Sequence, residues 1–271
     1  MASGLTAVGF SSSSVFNLSQ TQNTLSRAFA QLASGQRINR ASDDAAGLAI
    51  ASGIAASITQ ISQASRNVGD TSSALAIADG ALGQVSELST RMQELASMAA
   101  NGTYTDEQRG ALQAEYSALS AEIQRIGETT SYNGKNLLDG STMTAQVGAS
   151  GETLQVNGVN LQALSSAVAS QDISTQAGAQ AAMSAVEQFS QDLTSERSGT
   201  IGSAMSRLES IQNNLSSQTI TQNSALSQIQ DADLPSVVAE LTKAQVLQQY
   251  QVALVQQSSM LQASTRLSLL G

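Results

Sequence analysis

Leucine returns every seven residues near both ends of the chain: Leu18, Leu25 and Leu32, then Leu247, Leu254 and Leu261. A seven-residue apolar repeat draws a narrow stripe along a helix, and such a stripe is buried only against another helix. A lone helix of this kind is marginal in water. The two stripes are therefore expected to pair with each other or with neighbouring copies. On this reading the ends of the chain are elements of an assembly.

Composition agrees with long helices. Apolar residues make up 41% of the 271, but aromatics only 3%, with no Trp and a single Pro at position 235. Few prolines interrupt a helix, and Ala and Leu favour it. Small side chains also let helices approach closely. The expected fold is mainly α: a long antiparallel helical bundle or coiled coil, with a small β-hairpin region in the middle of the chain.

The same counts narrow the function. There is no Cys and no His. That removes disulfides, thiol nucleophiles, the usual zinc ligands and the usual neutral-pH base. An enzyme is not expected, nor a cofactor or metal. Asp43-Asp44, Asp231 and Asp233 are read as helix caps. The net charge of −9 comes with no basic cluster, so nucleic acid is not an expected partner. No uninterrupted apolar run approaches 18 residues, so membrane insertion is not expected either. The N-terminus lacks a cleavable signal pattern.

Along the chain, Ser13 to Ser34 reads as a helix closed by Gly35, with residues 1–12 ordering only on contact. A second helix runs from Asp44 through Leu48, Ile54, Ile61, Leu75, Leu82, Met92 and Leu95 to about Ala100. Thr105 to Gln108 has the form of a capping box. A third helix follows through Leu112, Tyr116, Leu119, Ile123 and Ile126, ending near Gly127. Thr144–Val147 and Thr153–Val156 are expected strands around a turn at 148–151. Helical spacing resumes from about 180 to 230, and a last helix with Pro235 in its first turn runs to about Leu267. The expected domains are residues 1–42 and 235–271, which pair as a coiled coil, and a core of 43–234. That core holds a helical hairpin, a β-hairpin at about 139–164 and a returning helix.

The segment Leu32-Ala-Ser-Gly-Gln-Arg-Ile-Asn-Arg-Ala-Ser-Asp-Asp-Ala-Ala-Gly-Leu-Ala-Ile-Ala51 resembles the N-terminal pattern of bacterial flagellin. The resemblance continues through Arg91-Met-Gln-Glu-Leu-Ala96, Thr130-Ser-Tyr-Asn-Gly-Lys-Asn-Leu-Leu138, Ile229-Gln-Asp-Ala-Asp233 and the ending Leu-Ser-Leu-Leu270. It implies a short flagellin with inner-tube and outer-core domains only. It implies a secreted, extracellular subunit that polymerises with itself into the flagellar filament for motility. Implied partners are the flagellar export machinery, a secretion chaperone, and the filament cap and junction proteins. For Arg91, Leu95 and Glu115 it implies filament packing and contact with the animal Toll-like receptor that detects flagellin. The alternatives are a hook–filament junction protein and, in a different class, a secreted helical adhesin or translocator.

Overall fold

The computed structural model describes the backbone of residues 2–148 and 151–270. Side-chain surroundings are described for these except 2–12, 14, 261, 262 and 264–270. The elements in order are α1 (Ala2–Ser34), α2 (Ala45–Ala100), α3 (Asp106–Thr129), β1 (Ser131–Tyr132), β2 (Lys135–Asn136), β3 (Met143–Gln146) and β4 (Thr153–Val156). They continue with α4 (Leu161–Ala169), α5 (Gln176–Glu196), a π-helical turn (Arg197–Gly202), α6 (Ser203–Gln230) and α7 (Leu234–Leu270). Helix α1 thus starts eleven residues before the expected Ser13.

The chain forms two compact units: a terminal unit of residues 1–56 and 221–271, and a central unit of 57–220. The expected boundaries lay at the connectors, after 42 and before 235. The connectors do not divide the chain because they are hydrogen-bonded to each other. Ala232 N–H donates to Gly35 O at 2.9 Å and Arg37 N–H to Gln230 O at 2.6 Å. The boundaries fall inside α2 and α6 instead.

In the terminal unit, α1 and α7 pack on each other, joined at one end by the antiparallel bridge Gln36–Asp231. Gly35 closes α1 at φ 71°, a left-handed conformation that glycine adopts without a Cβ clash. Asp44 caps α2 as expected, its Oδ1 accepting from Gly47 N–H at 2.8 Å. Asp231 does not cap α7: its carboxylate accepts from the Ser227 hydroxyl, and the helix begins after Asp233.

The central unit has a continuous core. Ile61, Val68, Leu75, Leu82, Val85, Met92 and Leu95 of α2 meet Tyr116 and Ile123 of α3, Leu161 of α4, and Val186, Phe189 and Leu193 of α5. The capping box at α3 forms as expected: Gln108 N–H donates to Thr105 Oγ1 at 3.3 Å, and Thr105 N–H to Gln108 Oε1 at 2.9 Å. The β-hairpin expected at about 139–164 is shorter. Strands β3 and β4 pair Met143 with Val156 and Gln146 with Thr153, and residues 161–164 begin α4, capped by Asn160 Oδ1. A second hairpin, β1–β2, turns at Asn133 (φ 50°) and Gly134 (φ 77°). Two successive positive φ values are those of the two-residue turn that Asn-Gly favours.

Leu193 and Ile201 are both buried although eight residues apart. A heptad would place the next core position at seven. The π-turn Arg197–Gly202 absorbs the extra residue through its wider i→i+5 winding. Ile201, Ala204, Leu208 and Leu215 thereby return to the face set by Val186, Phe189 and Leu193. Arg197 Nε bonds Asp79 Oδ1 at 2.9 Å and anchors the turn to α2.

Tyr116 is 1% exposed and its hydroxyl donates to Val168 O at 3.3 Å. Burial pushes its pKa up to about 12. The folded state therefore holds this proton more tightly than the unfolded chain, where a phenol titrates near 10. The contribution is fully present below pH 10 and is lost as pH rises through 12. In full it is worth about 2–3 kcal/mol. Unfolding free energies measured from pH 9 to 12 should fall more steeply for the native chain than for Tyr116→Phe. Equal slopes would contradict this account.

Helix α2 also departs from an expectation. It contains an 18-residue window long and apolar enough to cross a membrane by composition, and 11% of that window is buried. Counting uninterrupted apolar runs missed it, because Ser, Thr and Gly are dispersed among Ala and Ile. From Ile61 onward the same helix enters the core of the central unit.

Candidate assembly surfaces

The seam between α1 and α7 follows a heptad on both helices. On α1 it comprises half-buried Leu18, buried Thr21, Leu25 and Ala28, and half-buried Leu32. The steps are three, four, three and four. The N-terminal leucines thus lie in the seam. On α7 the covered positions are Val237, Leu241, Ala244, Gln248, Gln251, Leu254, Val255 and Ser258, spaced mostly by fours and threes. The C-terminal leucines differ from one another. Leu247 is 41% exposed, Leu254 is half-buried, and Leu261 lies outside the residues whose side chains are described. Small Ala244 and flexible Gln248 sit beneath α1 where a leucine stripe was expected. Close helix approach favours the small side chain at that point.

The terminal unit is apolar outside as well as inside. Among the described residues thirteen large hydrophobic side chains are exposed, and eleven belong to this unit. They include Phe16, Phe29, Val238, Val246, Tyr250 and Met260. Among the described residues its buried apolar side chains, by contrast, are Leu25, Ala28, Ile38, Ala51, Val237 and Ala244. Charge divides the same way. The terminal unit has five basic and five acidic residues, whereas the central unit has seven and sixteen. The whole net charge of −9 therefore lies on the central unit.

On the central unit, Arg91 bridges two helices. Its Nε and Nη2 donate to Glu115 Oε1 at 3.0 and 2.8 Å, and its Nη1 to Glu94 Oε2 at 2.8 Å. The bonds to Glu115 and then Glu94 raise the Arg91 pKa further. Arg91 and Glu115 are exposed, each side chain at 46%. Leu95 is not: its exposure is 0% and it belongs to the core. Seen in sequence, Arg91 and Leu95 sit one turn apart, but the edge of the buried face that also holds Met92, Ala96 and Ala99 passes between them. The structure thus places Leu95 in the packing of the core, and the exposed part of the expected surface is Arg91 with Glu115. Glu94, which sequence reasoning missed, completes the exposed cluster from position i+3.

Residues 9–143 match the sequence family described as the bacterial flagellin N-terminal helical region, and residues 183–268 match the bacterial flagellin C-terminal helical region. A flagellin of Halalkalibacterium halodurans is 37% identical over 248 residues, covering 90% of this chain and 89% of that protein. The chain belongs to the bacterial flagellin family. The match to the B-type flagellin of Pseudomonas aeruginosa is partial. That protein is 38% identical over 125 residues, a match covering 46% of this chain but only 26% of its own length. Among solved structures, the crystal structure of Bacillus cereus flagellin superimposes with a TM-score of 0.51 at 30% identity. The match covers 55% of this chain and 88% of that one.

Proposed function

We propose that the terminal unit of this flagellin is completed by neighbouring copies as the chain joins the growing filament. The chain is a structural subunit of the bacterial flagellar filament and works outside the cell. Its contribution to motility is mechanical rather than catalytic. One observation carries the assembly reading. Among the described residues the terminal unit leaves eleven large hydrophobic side chains exposed, and its sequence has no net charge to keep copies apart.

Energetics give the order of events. A heptad helix with few buried partners does not offset its ordering entropy, which is about 1–2 kcal/mol per residue for the backbone. In the free subunit α1 and α7 are therefore loose, and docking at the filament tip supplies the missing burial. A head-to-tail contact of this kind does not close, and it extends as an open helix of subunits. The export machinery, secretion chaperone and filament cap act before and during this step.

Hydrogen exchange tests the reading. In free subunits, residues 1–40 and 235–271 should exchange rapidly while the central unit is protected. In seeded polymer both should be protected. Strong protection of the ends in the free subunit would favour a self-sufficient helical adhesin instead. A receptor contact on the central unit falls to Arg91 and Glu115, and reporter cells bearing the receptor, challenged with Arg91→Ala subunits, test it.

A further inference from the structure

The connector between α1 and α2 encloses a polar cleft of about 230 Å³ in the terminal unit. Asn23 and Arg27 of α1 form one wall, and Asn39, Arg40, Ser42 and Asp43 of the connector form the other. Two guanidinium groups thus border a space containing one carboxylate, and that carboxylate is already engaged. Asp43 Oδ2 accepts from Asn39 N–H at 3.2 Å and from Arg40 N–H at 3.0 Å. Arg27 Nε makes a long ion pair with Asp43 Oδ1 at 3.7 Å, without a hydrogen bond, and its side chain is 66% exposed. The neighbouring Arg37 differs, because its Nη2 is committed to Ile229 O at 2.8 Å. Among the described residues no acidic side chain pairs with Arg40.

We propose that this cleft receives a carboxylate from the central unit of a second copy of the chain. Arg27 and Arg40 supply charge-assisted donors, and Asn23, Asn39 and Ser42 supply neutral ones. The occupant follows from charge complementarity. The central unit has sixteen acids against seven bases. Glu87, Glu107 and Glu128 are exposed and in no ion pair among the described residues. A guanidinium pair facing a surplus of carboxylates fixes register as well as attraction, since a misaligned neighbour leaves the charges unpaired. The proposal rests on the filament reading and adds a specific contact to it.

The substitution Arg40→Lys makes the contact chemically visible, because it places a primary amine in the cleft. The chain has only two lysines of its own, Lys135 and Lys243, so a zero-length carbodiimide coupling at position 40 is readily assigned. Isotopically light and heavy Arg40→Lys subunits are mixed, seeded into filaments, coupled and read by mass spectrometry. The expected result is mixed-label pairs joining the introduced amine to a carboxylate within residues 57–220. If filaments form but that amine couples only to Asp43 or Asp44, or not at all, the cleft proposal is overturned and the filament reading stands. If the unaltered chain forms no filament, both are overturned. Arg27→Lys provides the same readout should Arg40→Lys not polymerise. Reversal by Arg40→Glu should slow elongation about tenfold, because it sets like charges face to face. An unchanged rate would also count against the contact.

Discussion

Leu25→Ala subunits should fail to polymerise at concentrations where the native chain forms filaments, while their central unit melts unchanged. Leu25 is 8% exposed and lies in the middle of the α1 seam. Removing a buried leucine side chain costs about 2–5 kcal/mol. In the central unit such a loss is shared by a large core. Among the described residues the terminal unit has few buried apolar side chains to share it among, and on the proposed function its ordering is tied to polymerisation. At about 1.4 kcal/mol per tenfold, the low end of that range raises the critical concentration about 30-fold. Sedimentation of seeded mixtures over a concentration series measures the shift, and calorimetry follows the central unit. A critical concentration equal to that of the native chain would remove the α1–α7 seam from the assembly mechanism.

Leu95→Ala should do the reverse. Its side chain is fully enclosed among the α2 residues that also carry Met92, Ala96 and Ala99. The same 2–5 kcal/mol then falls on the central unit, which should melt about 5–15 °C lower at the usual scaling for a unit of this size. Arg91→Ala and Glu115→Ala, one helical turn or one helix away, should leave that melting temperature where it is, because both side chains are largely in water. The contrast separates the two roles grouped together in the sequence. If Leu95→Ala melted like the native chain, its placement in the core would be wrong.

The long elements were legible because their signals are local. The apolar spacing of α2 and α3, the capping box at Thr105 and the glycine at position 35 each announce themselves within a few residues. The C-terminal stripe shows only in part within a single subunit, where Leu254 is half-buried. Leucine is the residue that marks a heptad to the eye, yet Ala244 and Gln248 occupy the covered positions of α7, and Leu247 stands beside them. Which of two adjacent positions faces a partner depends on how closely the helices approach, and that is a property of the pair. Helix α4 escaped because nine residues give too few turns to establish a period. Its Asn160 cap and the spacing of Leu161, Leu164 and Val168 were its only signals. The arginine cleft was invisible for another reason. Asn23 and Arg40 come together only once α1 has turned back through the connector.

The winding of residues 197–202 changes what insertion and deletion mean at that point. In an ordinary α-helix, losing one residue rotates everything beyond it by about 100° and tears the buried face from its core. Here the chain already contains the surplus residue. Shortening the turn by Gly199 would leave Leu193 and Ile201 seven apart, the interval a plain α-helix needs to keep both on one face. The helix can thus change length by one residue without changing what it buries, so length variation in relatives is expected to collect at this turn.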